Sequence, residues 1–351
     1  MAGPQQPPFL RGPEAIWGYV PDMGEKTLVT GATGFAGGHL CRRLLREGYQ
    51  VRALVRPGSD WQDLRDLGTE IALGDVTDGA SVEEAVRGVA IVYHLAAVFR
   101  RTSLPARVPW EVNVEGTRNV LAAARKYRVE RVVHCSTVGV HGAIEHPPAD
   151  ETAPYRPGDI YQRTKCEAEK IARRFFTQEG LPGVVVRPAG LYGPGDTRFL
   201  KLYRLIYHRR FVMFGSGEVL YHLTYIDDFI EGLMLCGTRP EALGGTYILA
   251  GERAVTLNEF VRTIARALGV PLPEGHLPVA PLWLAGALCE AVCRPLGLEP
   301  PLHRRRVNFF RHHRAFDISK ARRELGYAPA TDLETGVRKT AAWYREQGWI
   351  P

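Results

Sequence analysis

A tyrosine and a lysine four positions apart form the strongest chemical pattern in this 351-residue chain. Tyr161 and Lys165 lie in the segment YQRTK, where the spacing of apolar residues predicts a helix over residues 161–179. Side chains at this spacing share one helix face, so an ammonium beside the phenol would lower the phenol pKa from its usual value of about 10. The pair therefore predicts a tyrosine that exchanges a proton with an alcohol or ketone oxygen.

A hydroxyl residue precedes this pair in the chain. Thr137 follows a predicted strand at Arg131–Cys135, and its hydroxyl would polarise the oxygen on which the tyrosine acts. Ser136 and Val138 flank Thr137, and we expect both to face the substrate. A tyrosine and a lysine at this spacing also arise by chance on helix surfaces, so the interpretation depends on the other motifs of the chain.

A glycine-rich turn near the start of the chain predicts a nucleotide site. Gly31, Gly34 and Gly37 lie between a predicted strand at Lys26–Thr30 and a predicted helix at Phe35–Glu47. The first glycine permits a tight turn, the second lets the backbone approach a pyrophosphate, and the third lets helix and strand pack closely. The N–H groups of the helix N-terminus would then face the phosphates of a dinucleotide. Further cofactor contacts expected from this turn are Thr33, Phe35 and Ala36.

The ends of the next three strands bear on the choice of cofactor. An NAD enzyme usually places a carboxylate after the second strand, whereas Arg56 follows the predicted strand here, and a guanidinium suits a 2′-phosphate. NADP is therefore favoured over NAD, the alternative being that Arg56 is solvated and NAD binds without the acid. Asp75 would accept a hydrogen bond from the adenine amino group or, alternatively, cap a helix. The other cofactor contacts expected at these strand ends are Val76, Leu95, Ala96 and Ala97.

The order of the predicted elements indicates an α/β fold. Short apolar strands alternate with amphipathic helices, and this alternation requires a parallel sheet covered by helices on both faces. We expect a Rossmann-type, doubly wound sheet over residues 25–192, with returning segments near 220–250. Residues 193–351 would form mainly a smaller α/β substrate lobe, and residues 1–24, rich in proline and glycine, would form a flexible leader.

Composition and charge restrict the class of protein further. Six cysteines without a CxxC spacing predict reduced thiols in a cytoplasmic protein, and no pattern predicts a metal site. The net charge is +7, but the basic run His303–Arg306 with Arg311–Arg314 has no nucleic-acid motif beside it, so we expect a small anionic ligand there and no nucleic acid. The most apolar stretch, Val279–Cys289, is too short to span a membrane, while contact with a membrane surface stays open.

Taken together, the motifs resemble those of one protein family. The segments TGATGFAG, GDVTD, HLAA, NVEGT, CSTVGVHG, YQRTK, RPAGLYGPGD, YIDD and DISKARRELGY are similar to those of the extended short-chain dehydrogenase/reductases. This family includes NAD(P)-dependent epimerases, dehydratases and 3β-hydroxysteroid dehydrogenases, and the resemblance covers residues 26 to about 348. It implies a polarising hydroxyl at Thr137, an acid–base role for Tyr161 and a partner role for Lys165.

The same resemblance implies further contacts of the cofactor and of the whole chain. Pro188, Gly190 and Leu191 would line the nicotinamide. Apart from the resemblance, we also expect Tyr161 and Lys165 to contact the cofactor, with Lys165 holding the nicotinamide ribose. A homodimer would form through the helices that follow Asn113 and contain Tyr161, because family members commonly pair these helices in a four-helix contact.

Departures from the family pattern bear on the substrate. Sugar-nucleotide 4,6-dehydratases carry Asp-Glu directly after the hydroxyl residue, where this chain has Val138 and Gly139, so dehydration is disfavoured. Many sugar-nucleotide epimerases carry an arginine where this chain has Tyr221, next to His222. This weakens the interpretation as a nucleotide-sugar enzyme without removing it, because Arg306 and its neighbours could supply the charge. Tyr221, His222 and Arg306 are therefore expected substrate contacts.

Another region is similar to the 3β-hydroxysteroid and sterol-decarboxylating branch of the family. There an apolar helix like Pro281–Leu288 precedes a basic segment, and such a helix would gate an apolar substrate, rest on a membrane or simply pack in the second lobe. The resulting prediction is a nucleotide-sugar epimerase. The alternative is an oxidoreductase of a sterol, a 3β-hydroxysteroid or another ketone, and a third hypothesis is a cofactor-binding protein without turnover.

Overall fold

The computed structural model describes residues 24–99, 104–272, 275–293 and 307–351. Two predictions fall outside these residues, namely almost all of the leader at 1–24 and the anionic contact at Arg306 in the run His303–Arg306. Within the described residues the chain forms an α/β structure built around a large parallel sheet.

The strands of the described residues are, in chain order, β1 (Lys26–Thr30), β2 (Gln50–Val55), β3 (Glu70–Leu73), β4 (Ile91–His94), β5 (Arg131–Cys135), β6 (Gly183–Pro188), β7 (Gly190–Tyr192), β8 (Met213–Phe214), β9 (Leu220–Tyr221), β10 (Leu223–Tyr225), β11 (Thr246–Leu249), β12 (Val255–Thr256) and β13 (His276–Leu277). The α-helices are α1 (Phe35–Arg46), α2 (Gln62–Asp66), α3 (Gly79–Val86), α4 (Arg107–Trp110), α5 (Gly116–Lys126), α6 (Ile160–Thr177), α7 (Leu200–Tyr207), α8 (Ile226–Thr238), α9 (Leu257–Leu268), α10 (Val279–Cys293), α11 (Ser319–Leu325) and α12 (Leu333–Glu346). A π-helical turn at Glu111–Glu115 joins α4 to α5, and 3₁₀ turns lie at Val138–His141, Pro240–Ala242 and Asn308–Phe310.

Seven of these strands form one parallel sheet in the order β11-β6-β5-β4-β1-β2-β3. The chain winds outward from β1 through β2 to β3, then crosses back to β4 and winds the other way, which is the switch in strand order of doubly wound folds. A later segment returns to the sheet as β11, where Thr246 pairs with Val185 of β6. The Rossmann-type α/β fold predicted from the sequence is confirmed.

Nearly continuous apolar strands explain why helices cover both faces of this sheet. All four residues of β4 and all six of β6 are buried, so neither face of these strands tolerates water. On one face α1 and α8 pack together, with Leu40 and Phe229 fully buried. On the other face α3, α5 and α6 lie side by side, with Val120 and Ala172 fully buried.

The parallel arrangement brings the ends of the strands to one edge of the sheet. Because all carboxyl ends of a parallel sheet point the same way, the residues that follow β1 to β5 share this edge. They include Gly31 after β1, Arg56 after β2, Asp75 after β3, Ala96 after β4 and Thr137 after β5. The fold thus collects most of the predicted site residues at one edge, the carboxyl edge.

Apart from α8 and β11, the described elements after β6 form much smaller units, which we call the second lobe. Three two-stranded sheets pair β7 with β10, β9 with β12 and β8 with β13, and no strand in them exceeds three residues. Helix α9 packs against both α7 and α12. Its first turn is capped by Thr256, whose Oγ1 accepts a hydrogen bond from the Glu259 N–H at 3.1 Å, and it ends at Gly269 with φ +71°.

Helix α10 exposes a stripe of apolar side chains. Leu284, Leu288 and Val292 recur at four-residue spacing and are 56%, 60% and 62% exposed. None of the described helices combines the length and the apolar character needed to cross a membrane. The stripe is therefore a surface feature of the second lobe.

All six cysteines of the chain are free thiols. Cys41, Cys166 and Cys236 are buried. Burial raises the pKa of the Cys41 thiol to about 12, so this group is protonated and inert. The prediction of reduced thiols agrees with this arrangement.

Candidate active site

Tyr161 and Lys165 lie on the buried face of α6. Asp159 caps this helix, because its Oδ1 accepts a hydrogen bond from the Gln162 N–H at 2.8 Å, and the cap fixes the turn that carries Tyr161. Tyr161 is 8% exposed and Lys165 is 3% exposed. Lys165 Nζ donates a hydrogen bond to the Cys135 carbonyl oxygen at 2.6 Å, which anchors the ammonium to the end of β5.

The surroundings of Lys165 tune its proton affinity. Burial lowers the pKa of its ammonium, while Cys135 and Glu169 act in the opposite direction. Burial, and next the charge of Lys165, also lower the pKa of His94 to about 3, so this imidazole is neutral at physiological pH. Lys165 is thus a buried ammonium on the same helix face as Tyr161.

Thr137 stands between the end of β5 and the start of α6. Its Oγ1 accepts a hydrogen bond from the Gly139 N–H at 3.0 Å and thereby caps the 3₁₀ turn at Val138–His141. A Cβ added at Gly139 would lie 3.3 Å from Thr137 Oγ1 and 3.4 Å from Gln162 Cγ, so the hydroxyl and the first turn of α6 converge at this glycine. Gln162 is the neighbour of Tyr161 in the chain. The structure therefore brings the predicted polarising hydroxyl close to the turn that carries the tyrosine.

The glycine turn fits a pyrophosphate. Gly31 has φ +73°, and a Cβ there would lie 2.8 Å from the Ala96 backbone nitrogen. A Cβ at Gly37 would collide with the Gly31 backbone, so helix α1 can pack against β1 only through glycine. Helix α1 begins after Gly34 without a side-chain cap and without an acidic residue in its first turn. Its N-terminal N–H groups and positive dipole end therefore suit an anion, with Thr33 exposed beside them.

Arg56 and Asp75, the residues expected to contact the adenosine part of the cofactor, lie directly after β2 and after β3. Arg56 is exposed directly after β2, and no described residue forms a hydrogen bond or an ion pair with its guanidinium. Asp75 Oδ1 accepts hydrogen bonds from the Thr77 N–H and Oγ1–H, each at 2.9 Å. Asp78, not Asp75, caps helix α3 by accepting from the Ala80 N–H. The helix-cap alternative for Asp75 is thus removed.

The remaining expected cofactor contacts lie along the same edge. Val76 is buried under α5, where a Cβ at Gly116 would lie 2.7 Å from its Cγ2. The Ala96 N–H donates to Thr30 Oγ1 at 3.2 Å, which ties the ends of β4 and β1 together. Leu95 is half-buried and Ala97 is exposed, and the half-buried Ala36 lies in the first turn of α1.

The predicted wall of the nicotinamide site meets the predicted substrate residues. Pro188 ends β6, and Gly190 and Leu191 open β7. A Cβ at Gly190 would lie 3.0 Å from the carbonyl oxygen of His222 and 3.0 Å from Cε1 of Tyr221. Gly190, an expected nicotinamide contact, therefore packs directly against the predicted substrate residues Tyr221 and His222.

Two predicted substrate contacts lie in the core instead. The imidazole of His222 is buried, with Nε2 bonded to the Gly251 carbonyl at 2.9 Å and Nδ1 accepting from the Phe316 N–H at 3.3 Å. Ser136 is also buried, and its Oγ donates to Glu169 Oε2 at 2.5 Å. Both side chains already have their partners inside the protein, so the structure gives them structural roles rather than substrate contacts. Val138 is 8% exposed.

Tyr221 belongs to a half-buried group of aromatic rings in the second lobe. The centre of its ring lies 5.4 Å from that of Phe309 and 6.4 Å from that of Phe199, both in edge-to-face contacts. The rings of Phe309 and Phe310 are also in contact, with their centres 5.2 Å apart. The guanidinium of Arg314 lies 5.5 Å from the centre of the Tyr221 ring. We call Phe199, Tyr221, Phe309 and Phe310 the aromatic cluster. Its described members present mainly apolar ring surface, with the Arg314 guanidinium beside Tyr221.

Phe99 and Arg198 connect the two halves of the site. Phe99 meets the Tyr161 ring edge-to-face at 5.0 Å. The Arg198 guanidinium lies 5.7 Å from the Phe99 ring and 5.3 Å from the Phe35 ring, and its Nη2 donates to the Leu191 carbonyl at 2.8 Å. Arg198 thus meets Phe35, the first residue of the helix after the glycine turn, directly, and the Tyr161 ring only through Phe99. The sequence analysis predicted neither residue, although Arg198 lies only two positions after the motif RPAGLYGPGD.

Comparisons with known proteins agree with this geometry. The model of the family described as NAD dependent epimerase/dehydratase matches residues 27–250. Sterol demethylase protein B of Methylococcus capsulatus is 32% identical over 92% of this chain and 99% of its own length. A 3-beta-hydroxysteroid dehydrogenase of Mycolicibacterium neoaurum is 31% identical, covering 93% of this chain and 92% of its own.

A solved structure extends the comparison to the cofactor. The dTDP-glucose 4,6-dehydratase of Streptomyces venezuelae, solved with NAD and TYD bound, is 26% identical with a TM-score of 0.73, covering 93% of this chain and 98% of its own. The fold, the glycine turn with its open helix N-terminus and these likenesses lead to one conclusion: the chain belongs to the NAD-dependent epimerase/dehydratase family, a group of extended short-chain dehydrogenase/reductases.

Proposed function

We propose that this protein is an NAD(P)-dependent oxidoreductase that interconverts a secondary alcohol and a ketone on a largely apolar substrate. The observation that carries this proposal is the aromatic cluster. Tyr221 stands where many sugar-nucleotide epimerases carry an arginine, and its ring packs with Phe199 and Phe309, which Phe310 extends, with the Arg314 guanidinium on one side. Ring surface of this kind favours a hydrocarbon over a diphosphate.

The likeness to relatives supports the same choice. The two curated relatives compared above are named for sterol and steroid chemistry, and each matches this chain over nine-tenths of its length. The nucleotide-sugar epimerase predicted first from the sequence is thereby less well supported than its alternative, the sterol-like or ketone oxidoreductase.

Each residue of the site would have its own role in the reaction. A bound nicotinamide would supply the hydride acceptor or donor for the carbinol carbon. Tyr161 would take the hydroxyl proton of the alcohol during oxidation and return it to the ketone oxygen during reduction. Lys165 would favour the phenolate by its charge, and the Thr137 hydroxyl would donate to the substrate oxygen and hold it near the tyrosine. Phe99, edge-on to the Tyr161 ring, would limit the access of water to the phenol.

The choice of NADP over NAD is part of the proposal. Arg56 is exposed after β2 without a described partner for its guanidinium, and it stands where an NAD enzyme usually has the carboxylate that receives a ribose 2′-hydroxyl. A guanidinium in this position would bind a 2′-phosphate by charge-assisted hydrogen bonds. The alternative remains NAD bound without the usual acid.

A nucleotide-sugar epimerase is the second candidate, and one observation favours it. Arg314 lies beside Tyr221, so the second lobe does carry a cation at the place where a diphosphate would lie. In such an enzyme the cofactor would be reduced and reoxidised within each turnover, without net consumption.

A substrate panel separates the two candidates. The purified protein would be incubated with 3β-hydroxysteroids, β-keto compounds with long alkyl chains, and UDP- and dTDP-sugars, each with NAD(H) and with NADP(H). The absorbance of the reduced nicotinamide and mass spectrometry of the products would be recorded. The proposal predicts net cofactor turnover with an apolar compound. Isomerisation of a nucleotide sugar without net cofactor change would establish the epimerase instead.

A further inference from the structure

A buried ion pair lies directly behind the proposed catalytic residues. Arg187 Nη2 and Glu169 Oε1 are 2.5 Å apart, and the two side chains are 1% and 0% exposed. Arg187 Nε also donates to both carboxylate oxygens, at 3.1 and 3.2 Å. The chemistry proposed above uses neither residue.

Neighbouring side chains and a backbone carbonyl form the other hydrogen bonds of this ion pair. Ser136 Oγ donates to Glu169 Oε2 at 2.5 Å, and Tyr155 Oη donates to Glu169 Oε1 at 2.7 Å. Arg187 Nη1 donates to His141 Nε2 at 3.0 Å and to a carbonyl oxygen of the preceding loop at 2.8 Å. Burial alone would raise the pKa of the Glu169 carboxyl, but the hydrogen bonds and charge of Arg187 and the hydroxyl donors lower it, so the carboxylate stays ionised.

Stability alone does not account for such a pair. The desolvation of two buried charges offsets most of their attraction, and an apolar pair of similar volume often stabilises a fold as well. A fully hydrogen-bonded ion pair does differ from an apolar contact in one respect, because its geometry fixes the distance and the angle between the elements that it joins.

The elements joined here are those that carry the site. Ser136 directly precedes Thr137 at the end of β5. Arg187 directly precedes Pro188, which begins the predicted wall of the nicotinamide site. Glu169 lies one helical turn after Lys165, on the same buried face of α6. Each anchor is therefore within one residue or one turn of a residue that the proposed function requires.

We propose that Glu169 and Arg187 are positioning residues that hold the Thr137 hydroxyl and the nicotinamide wall in register with Tyr161 and Lys165. The pair acts through Ser136 on one side and through Pro188 on the other, and it takes no part in proton transfer. The proposal rests on the function proposed above for Thr137.

Two single substitutions isolate this role. Ser136→Ala and Tyr155→Phe each remove one hydroxyl donor to the same carboxylate, but only Ser136 adjoins a catalytic residue. Both variants should lower the melting temperature by a similar amount. Ser136→Ala should lower kcat by about tenfold to a hundredfold, the size of effect that a misplacement of about 1 Å produces, with the KM for cofactor little changed. Tyr155→Phe should keep kcat within about twofold of wild type, because it leaves the segment at Thr137 anchored.

A second readout needs no substrate. Hydrogen–deuterium exchange of the peptide that covers residues 136–142 reports on the Gly139 N–H, which donates to Thr137 Oγ1. Ser136→Ala should speed exchange in this peptide, Tyr155→Phe should not, and Ser136→Thr, which restores a hydroxyl, should return the rate toward wild type. Equal exchange and equal kcat in the alanine and phenylalanine variants would overturn the proposal and leave the pair a purely stabilising one. If the wild type turns over no apolar compound, the proposed function fails while the exchange experiment still decides on positioning.

Discussion

The carboxyl edge of the sheet and the second lobe are built on different principles. At the edge the backbone itself forms the site, because Gly31 and Gly37 leave no room for a Cβ and the N-terminus of α1 offers its N–H groups. In the second lobe the strands have two or three residues, and side chains such as Tyr221 and Phe309 create the surface. Backbone geometry tolerates almost no substitution, whereas a group of rings can be rebuilt for another ligand. The comparison explains how the family keeps its cofactor site and varies its substrates.

Loss of the phenol should produce the largest effect, and it should leave cofactor binding intact. Tyr161→Phe removes the proton donor but keeps the ring that packs on Phe99. We expect kcat to fall by about 10²- to 10⁴-fold, as for other general acid–base residues, with the NADP dissociation constant within about twofold of wild type. Steady-state kinetics and a fluorescence titration measure the two quantities. Unchanged turnover would contradict the assignment of Tyr161.

A single methyl group should test the rigidity of the carboxyl edge. Gly37→Ala places a Cβ against the Gly31 backbone, so the turn must shift, at a cost of about 1–3 kcal/mol in the free energy of unfolding and with loss of tight cofactor binding. Gly79→Ala is the matched control, since a Cβ there meets nothing within 4 Å. Denaturant unfolding and NADP titration of both variants would show the difference. Equal behaviour of the two would mean that the turn is plastic.

Charge introduced into the aromatic cluster should alter substrate use without touching the cofactor. Tyr221→Arg restores the residue that many sugar-nucleotide epimerases carry, and it removes apolar surface from the second lobe. We expect kcat/KM for the apolar substrate to fall by about tenfold, the equivalent of about 1.4 kcal/mol of apolar contact, while NADP binding stays constant. Tyr221→Phe, which keeps the ring, should lose much less. If the wild type turned over nucleotide sugars faster than the Tyr221→Arg variant does, the proposed role of the cluster would be contradicted.

The smallest effect concerns the adenosine end of the cofactor. Arg56→Ala should weaken NADP binding by about two- to fivefold, as expected for an exposed ion pair, and leave NAD binding unchanged. Arg65→Ala removes an equally exposed arginine from α2 and serves as the control. Isothermal titration with both cofactors measures the change. Equal weakening of NAD and NADP would show that Arg56 does not recognise the 2′-phosphate.

Sequence patterns predicted the carboxyl edge far better than the second lobe. The glycines, the apolar strands and the helix that bears Tyr161 follow rules of backbone sterics and periodicity that act over short stretches of chain. The roles of Ser136 and His222 were not predictable in this way, because their partners, Glu169 and the backbone at Phe316, are far away in sequence.

The same limit applies to the residues that sequence reasoning missed. Arg198 contacts Phe35 and Phe99 across more than ninety positions of the chain, and Glu169 meets Arg187 only when α6 packs on the sheet. Strands of two or three residues, such as β9, carry too little periodicity to be predicted. Long-range packing decides these contacts, and no local pattern encodes it.

The most direct test of the account follows the hydrogen of the substrate carbinol. A 3β-hydroxysteroid or long-chain β-hydroxy substrate carrying deuterium at the carbinol carbon would be incubated with the protein and stoichiometric NADP or NAD. The account predicts one reduced, deuterated cofactor for each ketone formed. The contradicting result is no ketone from such substrates, together with isomerisation of a nucleotide sugar that carries deuterium at its own carbinol carbon and regains that deuterium in the product.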